Sequence, residues 1–576
     1  MMSRHTAAFI AAGIVALLGW PALTAHTASI TASKHNLSAT GPGTIKAATE
    51  SEICVFCHVP HNAMPSGPLW NRDQPTGTYT AYTSTTRKIT APGQPNGASL
   101  LCLSCHDGTI ALGKVSSRAT NITMAGGVTT MPAGATRLGT DLSDDHPVSF
   151  LFSGVLSNPE LRTPTGSVKL DANGQMQCTA CHSPHDDANG KFLVVNNIRS
   201  ALCTNCHNKS YWSASDHATS TKTWNGTGTN PWLHTSWTNV RDNACENCHQ
   251  PHTAAGRARL LNSAIEETNC LVCHSGTVAT STKNIQTELN KASRHGVASY
   301  LNVHDAAENA VMAAAHVECP DCHNPHSANS TAGSAPGVTP ITLPGSLSTV
   351  RGINISGTAV NPVTAEYQIC FRCHADSTSR TPASRTARVI VQTNTRLEFQ
   401  TTNPSYHPVA GVGRSTNVPS LISPWTTSSV MNCTDCHNNN AGPNAGGADP
   451  NGPHGSTNPL LLERQYTVVD TTESAAAYAL CYKCHSRTSI LSDAIGSFRE
   501  HNVHVRGADI PCNNCHDPHG ISSTQGTTLN NSRLINFQTG VVTQSGSQAI
   551  RWERVGSTGG RCYLVCHGVN HNPKSY

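Results

Sequence analysis

Three observations predict the fold class. Twenty-four cysteines fall into twelve pairs, each followed at once by a histidine; large apolar residues are scarce over 576 residues; and the cysteine motif is doubled along the chain. Together they predict a haem-organised fold, mostly loop with short α-helices and little β-structure, arranged as six di-haem modules in tandem.

Eleven of the pairs read C-x-x-C-H and one reads C-x-x-x-C-H. They are Cys54, Cys57 and His58; Cys102, Cys105 and His106; Cys178, Cys181 and His182; Cys203, Cys206 and His207; Cys245, Cys248 and His249; and Cys270, Cys273 and His274. The second half carries Cys319, Cys322 and His323; Cys370, Cys373 and His374; Cys433, Cys436 and His437; Cys481, Cys484 and His485; Cys512, Cys515 and His516; and the stretched Cys562, Cys566 and His567. Two thiols must add to the vinyl groups on one porphyrin edge while the adjacent imidazole reaches the iron as its proximal ligand, which is why the residues come in this order. A zinc knuckle or a disulfide framework gives no reason for histidine to follow every second cysteine. Twelve covalently bound haems c are therefore expected.

Composition explains why such a chain needs its cofactors. Hydrophobic residues make up 37%, aromatics 5%, and there are 45 Gly and 33 Pro, too little apolar bulk for the core expected at this length. Porphyrin faces would supply the missing apolar surface, at about one macrocycle per 48 residues, and the apo-chain should not fold stably.

Residues 1–28 read as a signal peptide: Arg4 and His5, the apolar run TAAFIAAGIVALLGW, then small residues where cleavage after Ala25 or Ala28 is expected. The run is shorter than the ~20 residues that span a bilayer, and no later segment is long and apolar enough, so no transmembrane segment is expected in the mature chain. No cysteine precedes Cys54, which argues against a lipoprotein anchor. The expected location is beyond the inner membrane, in the periplasm or associated with the outer membrane or the exterior.

The formal charge of +4 does not point to nucleic acid. Removing Arg4 lowers it by one, and haem propionates would turn the holoprotein acidic. No basic stripe with interleaved aromatics is present.

Five motifs extend to C-x-x-C-H-x-P-H, ending at His61, His185, His252, His326 and His519, and each is followed by a plainer one. The resulting modules span residues 29–135, 136–225, 226–285, 286–400, 401–495 and 496–576. The fifth replaces the tight x-P-H by a long insertion reaching His454, taken as its displaced equivalent.

The second axial position decides between carrying electrons and doing chemistry. Seventeen histidines remain after the signal peptide and the twelve proximal ones are set aside. The upstream candidates are His35, His146, His234, one of His295, His304 and His316 (with His316 preferred), His407, and His501 or His504 (with His504 preferred). With His61, His185, His252, His326, His454 and His519 they make twelve, which favours two histidines on every iron. A histidine three residues after the proximal one, held by a proline of fixed φ, cannot reach round the same ring, so each x-P-H histidine should bind a neighbouring iron. His217 and His571 fall outside this scheme. Methionines at 64, 124, 131, 176, 312 and 431 keep no register with the motifs and read as filler. Short helices are expected over residues 305–317 and 474–484 and around several motifs, with loops over 327–349 and 438–457.

The doubled motif, KHNLSATGPG ahead of CVFCHVPH, EYQICFRCHAD, the stretch from CTDCHNNN through GPHGS to YALCYKCHSR, and CYLVCHGVNH resemble the large multihaem c-type cytochromes of dissimilatory metal-reducing bacteria. The resemblance implies a non-enzymatic carrier that passes electrons from the periplasm towards the outer membrane and extracellular acceptors. Its implied partners are other multihaem cytochromes and a porin-like barrel. Two other readings stay open: a reductase for nitrite, hydroxylamine or a sulfur oxyanion with one open haem, and a subunit of a haem filament. No C-x-x-C-K motif marks an open catalytic haem, and no catalytic residue is assigned.

Overall fold

The computed structural model describes residues 29–576 apart from 65–66, 86, 88–91, 257, 298–303, 306–307, 310, 312–315, 378–385, 493–497, 525 and 558. The expected signal peptide and most of the helix expected over 305–317 lie outside the described residues.

Regular structure is short and follows the motifs. The first motif of most modules is a single 3-10 turn, as at Cys54–Phe56, Cys178–Ala180, Ala244–Asn247, Cys433–Asp435 and Cys512–Asn514. The second motif ends an α-helix, as at Gly97–His106, Ala201–Cys206, Glu266–Leu271, Tyr367–His374 and Ala479–Tyr482. The difference is local. In the x-P-H motifs a proline two residues after the proximal histidine forbids helix continuation and pushes the residue before it to extended backbone. The plain motifs are entered through helix-forming stretches such as ASLLCLSC. Residues 474–484, expected to be helical, condense to the single turn Ala479–Tyr482.

Among the described residues, buried apolar side chains form eight separate clusters, the largest around Ile353, Phe371, Phe399 and Trp425, and no continuous core joins them. Instead, one cavity of about 3570 Å³ runs past the first seven proximal histidines, lined by the cysteines of the same motifs.

The expectation of little β-structure holds except at the C-terminal end. There Val542–Thr543 (β1), Arg551–Val555 (β2), Gly559–Cys566 (β3) and Val569–Ser575 (β4) form an antiparallel sheet in which β3 pairs with the other three. The stretched motif Cys562 to Cys566 lies on β3 and not on a helical turn. The run RCYLVC is β-branched and aromatic enough to pair as a strand, and Trp552 and Leu564 bury its inner face.

Candidate haem-binding sites

A metal–imidazole bond of about 2 Å, with about 1 Å from ring nitrogen to ring centre on each side, puts two imidazoles on one metal about 6 Å apart, centre to centre. That spacing recurs along the chain between histidines far apart in sequence. The x-P-H histidines face the first motif of the preceding module: His185 lies 6.1 Å from His58, His252 6.1 Å from His182, His326 6.3 Å from His249, and His519 6.2 Å from His437. His454, on the long insertion, stands 6.0 Å from His323 in the same relation.

The second motifs are faced by upstream histidines. His35 lies 6.3 Å from His106, His146 6.3 Å from His207, His217 6.3 Å from His274 and His295 6.4 Å from His374. His407 approaches His485 closely enough to press its pKa down, second only to burial. The last module supplies its own partners, with His501 6.1 Å from His516 and His504 6.2 Å from His571.

The residues fit haem. Each pair leaves a gap of the width two axial bonds to one iron require, beside two cysteines of the matching motif.

The elements that hold these rings repeat as well. The Nδ1–H of the proximal histidine donates to a backbone carbonyl at His58 (Pro68, 2.9 Å), His182 (Lys191, 3.0 Å), His249 (Arg259, 2.8 Å), His437 (Leu460, 2.8 Å) and His516 (Arg533, 3.2 Å), which turns Nε2 towards the gap. Four of these carbonyls belong to consecutive left-handed residues, Lys191 and Phe192, Arg259 and Leu260, Leu460 and Leu461, and Arg533 and Leu534, with φ between 51° and 62°. Side-chain-bearing residues enter that region at a cost of about 1–2 kcal/mol each, so the strain sits where it aims an acceptor at an imidazole.

The x-P-H segment also serves the other histidine set. The carbonyl of Pro184 accepts from His35 Nδ1 (2.9 Å), that of Pro325 from His217 Nδ1 (2.8 Å), and that of Pro518 from His407 Nδ1, while the Pro251 carbonyl accepts from the His146 backbone N–H (2.8 Å). Two-residue ladders reinforce the link. Ser293–Arg294 pairs with Gly455–Ser456 beside His295 and His454, and Ser405–Tyr406 pairs with Gly520–Ile521 beside His407 and His519.

Burial keeps the imidazoles neutral, the form that ligates metal. It pushes the pKa down to about 4 at His207, His274, His437, His485 and His516, and to about 3 at His326, His454 and His501. His519 moves the other way because the Glu398 carboxylate lies 3.1 Å from its Nδ1. His252 has a similar carboxylate, Asp145, at 2.9 Å.

The thiols meet in sequence order. Within modules the second cysteines interact, as for Cys57 with Cys105, Cys181 with Cys206 and Cys436 with Cys484. Between modules the first cysteines are close enough for one to raise the pKa of the other, Cys178 acting on Cys102, Cys245 on Cys203, Cys319 on Cys270, Cys433 on Cys370 and Cys512 on Cys481.

Four sequence-nominated second histidines are not brought opposite a motif histidine: His504, which faces His571, and His61, His234 and His316. His61 is exposed. His234 Nε2 is engaged by the Glu246 carbonyl at 2.8 Å, and His316 sits beside Glu308 at 3.2 Å. The positions expected for His234 and His316 are taken by His217 and His295. A signal for this exists in the sequence. In the first five modules the placed upstream histidines precede their module's first cysteine by 19 to 32 residues, whereas His234 and His316 precede it by 11 and 3; in the sixth module His501 and His504 precede Cys512 by 11 and 8, so the spacing discriminates only in the first five. His35, His146, His295 and His407 also carry Leu or Val two residues on, half-buried at Leu37 and Val148 and buried at Val297 and Val409.

Among curated proteins nothing matches the chain. A family model described as the doubled CXXCH motif matches residues 172–210, 238–279 and 427–489, about a quarter of the sequence, each stretch holding two of the motifs above. These matches indicate a multihaem c-type cytochrome with a role in electron transfer.

Proposed function

We propose that this chain is a non-enzymatic electron conduit carrying twelve haems c, each iron closed by two histidines. The observation that carries the reading is the recurrent spacing of 6.0–6.4 Å between a motif histidine and a second histidine from distant sequence. When bound, haem supplies a one-electron ferric–ferrous couple. The chain's own residues do the rest. The neighbouring cysteines would hold successive macrocycle edges near one another in sequence order, which supports an unbranched line from the first motif to the twelfth. Second histidines fill the position where nitrite or hydroxylamine would have to bind, which speaks against a reductase. The same closure leaves no vacancy for a ligand exchanged between copies of the chain, so a filament built that way is disfavoured.

The apolar run at residues 6–20 supports export, and the resemblance supports a place between a periplasmic donor and an outer-membrane or extracellular acceptor. The ferric holoprotein should be wholly low-spin, with twelve haems by pyridine haemochrome assay and intact mass. A substantial high-spin fraction with nitrite turnover above that of free haem would overturn the conduit.

A further inference from the structure

We infer that the twelfth haem site takes its iron between His571 and His504, and that His567, although it directly follows the last cysteine, is a turn residue and not a ligand. The inference rests on the reading of Cys562 and Cys566 as a haem attachment site.

The argument starts from periodicity. On a helical turn, residues i, i+3 and i+4 share a face, so C-x-x-C-H delivers both thiols and the imidazole to one side. On a strand the period is two. Cys562, Leu564 and Cys566 share one face of β3, and the next residue is directed elsewhere. His567 and Gly568 are in fact the two loop residues between the paired Cys566 and Val569, with φ of 48° and 81°. Two positive φ values in a two-residue connection are the mark of a type I′ hairpin turn. His567 Nδ1 lies 3.7 Å from Asp470, its side chain is 34% exposed, and no histidine ring faces it among the described residues.

The missing imidazole comes from across the hairpin. His571 is paired directly with Leu564, and residues directly opposite in an antiparallel pair project from the same face, so His571 stands on the face that holds both thiols. It is 5% exposed, and its Nδ1 is 2.6 Å from the Tyr576 hydroxyl, which leaves Nε2 free. Tyr576 also contacts the Cys562 thiol, so ligand, orienting hydroxyl and attachment sulfur are neighbours.

His504 stands 6.2 Å from His571 at 33°, the spacing of the other sites, and its Nδ1 donates to the Glu500 carbonyl at 2.7 Å. It projects from the π-helical turn Asn502–Gly507, while His501, just before that turn, faces His516. A widened turn lets two histidines three residues apart serve two different irons. An extended strand would separate the Cα atoms of Cys562 and Cys566 by about 13 Å. The register shift opposite Cys562 and Leu564 falls on β4, where His571 to Lys574 advance three residues against two on β3, and such a bulge sharpens the local twist beside the two thiols.

The test uses the full-length holoprotein. Digestion should first show haem on the peptide containing Cys562 and Cys566; its absence from the wild type would overturn the cytochrome reading of this site, not the choice of ligand. His571→Met should then convert one haem in twelve to a sulfur-ligated spectrum with a raised potential, and His567→Gln should leave spectrum and potentials unchanged. A ligand-field change in His567→Gln, or a silent His571→Met that retains twelve haems, would overturn the assignment. If either variant fails to mature, carbethoxylation of the native wild-type protein decides: modification of His567 with protection of His571 supports the assignment, and modification of His571 as fast as that of the exposed His61 overturns it.

Discussion

Glu398→Gln should raise the potential of one haem. The Glu398 carboxylate lies 3.1 Å from Nδ1 of His519, whose ring faces His437 at 6.2 Å. A carboxylate behind an imidazole draws its proton, adds negative charge to the ligand and favours ferric over ferrous iron. Removing such an outer-shell partner typically costs 10- to 100-fold in metal affinity. If that loss falls on the ferric state, one-electron conversion at about 59 mV per tenfold gives a rise of about 60–120 mV. Only the haem of Cys433 and Cys436 should move, so one twelfth of the amplitude in a spectroelectrochemical titration shifts upward and the rest superposes. Asp145→Asn should do the same through His252, whose Nδ1 is 2.9 Å from that carboxylate. Titration curves that superpose on wild type throughout for both variants would refute carboxylate tuning of these two ligands.

Three further outcomes are expected. His185→Met should change the ligand field of one haem, that of Cys54 and Cys57, whereas His61→Met should leave all spectra unaltered, although both residues close an x-P-H motif. Gly41→Ala should loosen the segment that presents His35, because a Cβ there would stand 1.9 Å from the Asn36 carbonyl oxygen; a cost of about 1–3 kcal/mol in chemical denaturation is expected, with the haem of Cys102 and Cys105 the first to turn high-spin. Glu366 is held up to about 7 by burial while Thr434 donates to it through its backbone N–H (2.9 Å) and hydroxyl (2.7 Å). A folded pKa raised above the unfolded 4.5 means that the folded state holds its proton longer, so the group costs stability as pH rises from about 4.5 through about 7. Glu366→Gln should therefore gain nothing at pH 4, and up to about 3 kcal/mol at pH 8, in paired denaturant melts.

The attachment motifs are legible as a pattern because covalent chemistry dictates their order, and that an x-P-H histidine turns away from its own motif is legible because a proline fixes the backbone between two imidazoles. The partner of each second motif was harder. His217 and His295 are set by the chain path and stand 28 and 24 residues ahead of the motif, and a rival histidine nearer the motif, His234 or His316, is indistinguishable by residue type alone. The C-terminal sheet was missed because C-x-x-x-C-H reads as a stretched turn until the alternation of RCYLVC is weighed as a strand. That one change of period, from helical to two, is what detaches His567 from its motif and puts His571 in its place.

The pairing also changes what counts as a unit. Module boundaries drawn around pairs of motifs cut through the histidine pairs: the ring facing His58 comes from beyond residue 135, that facing His182 from beyond 225, and that facing His249 from beyond 285. The x-P-H segments of His185, His252, His326 and His519 each send the imidazole back to the first site of the module before and, through the proline carbonyl, hold the histidine that serves that module's second site. One short segment thereby supports two sites at once, and a cut at any internal boundary would expose the site whose second histidine lies downstream.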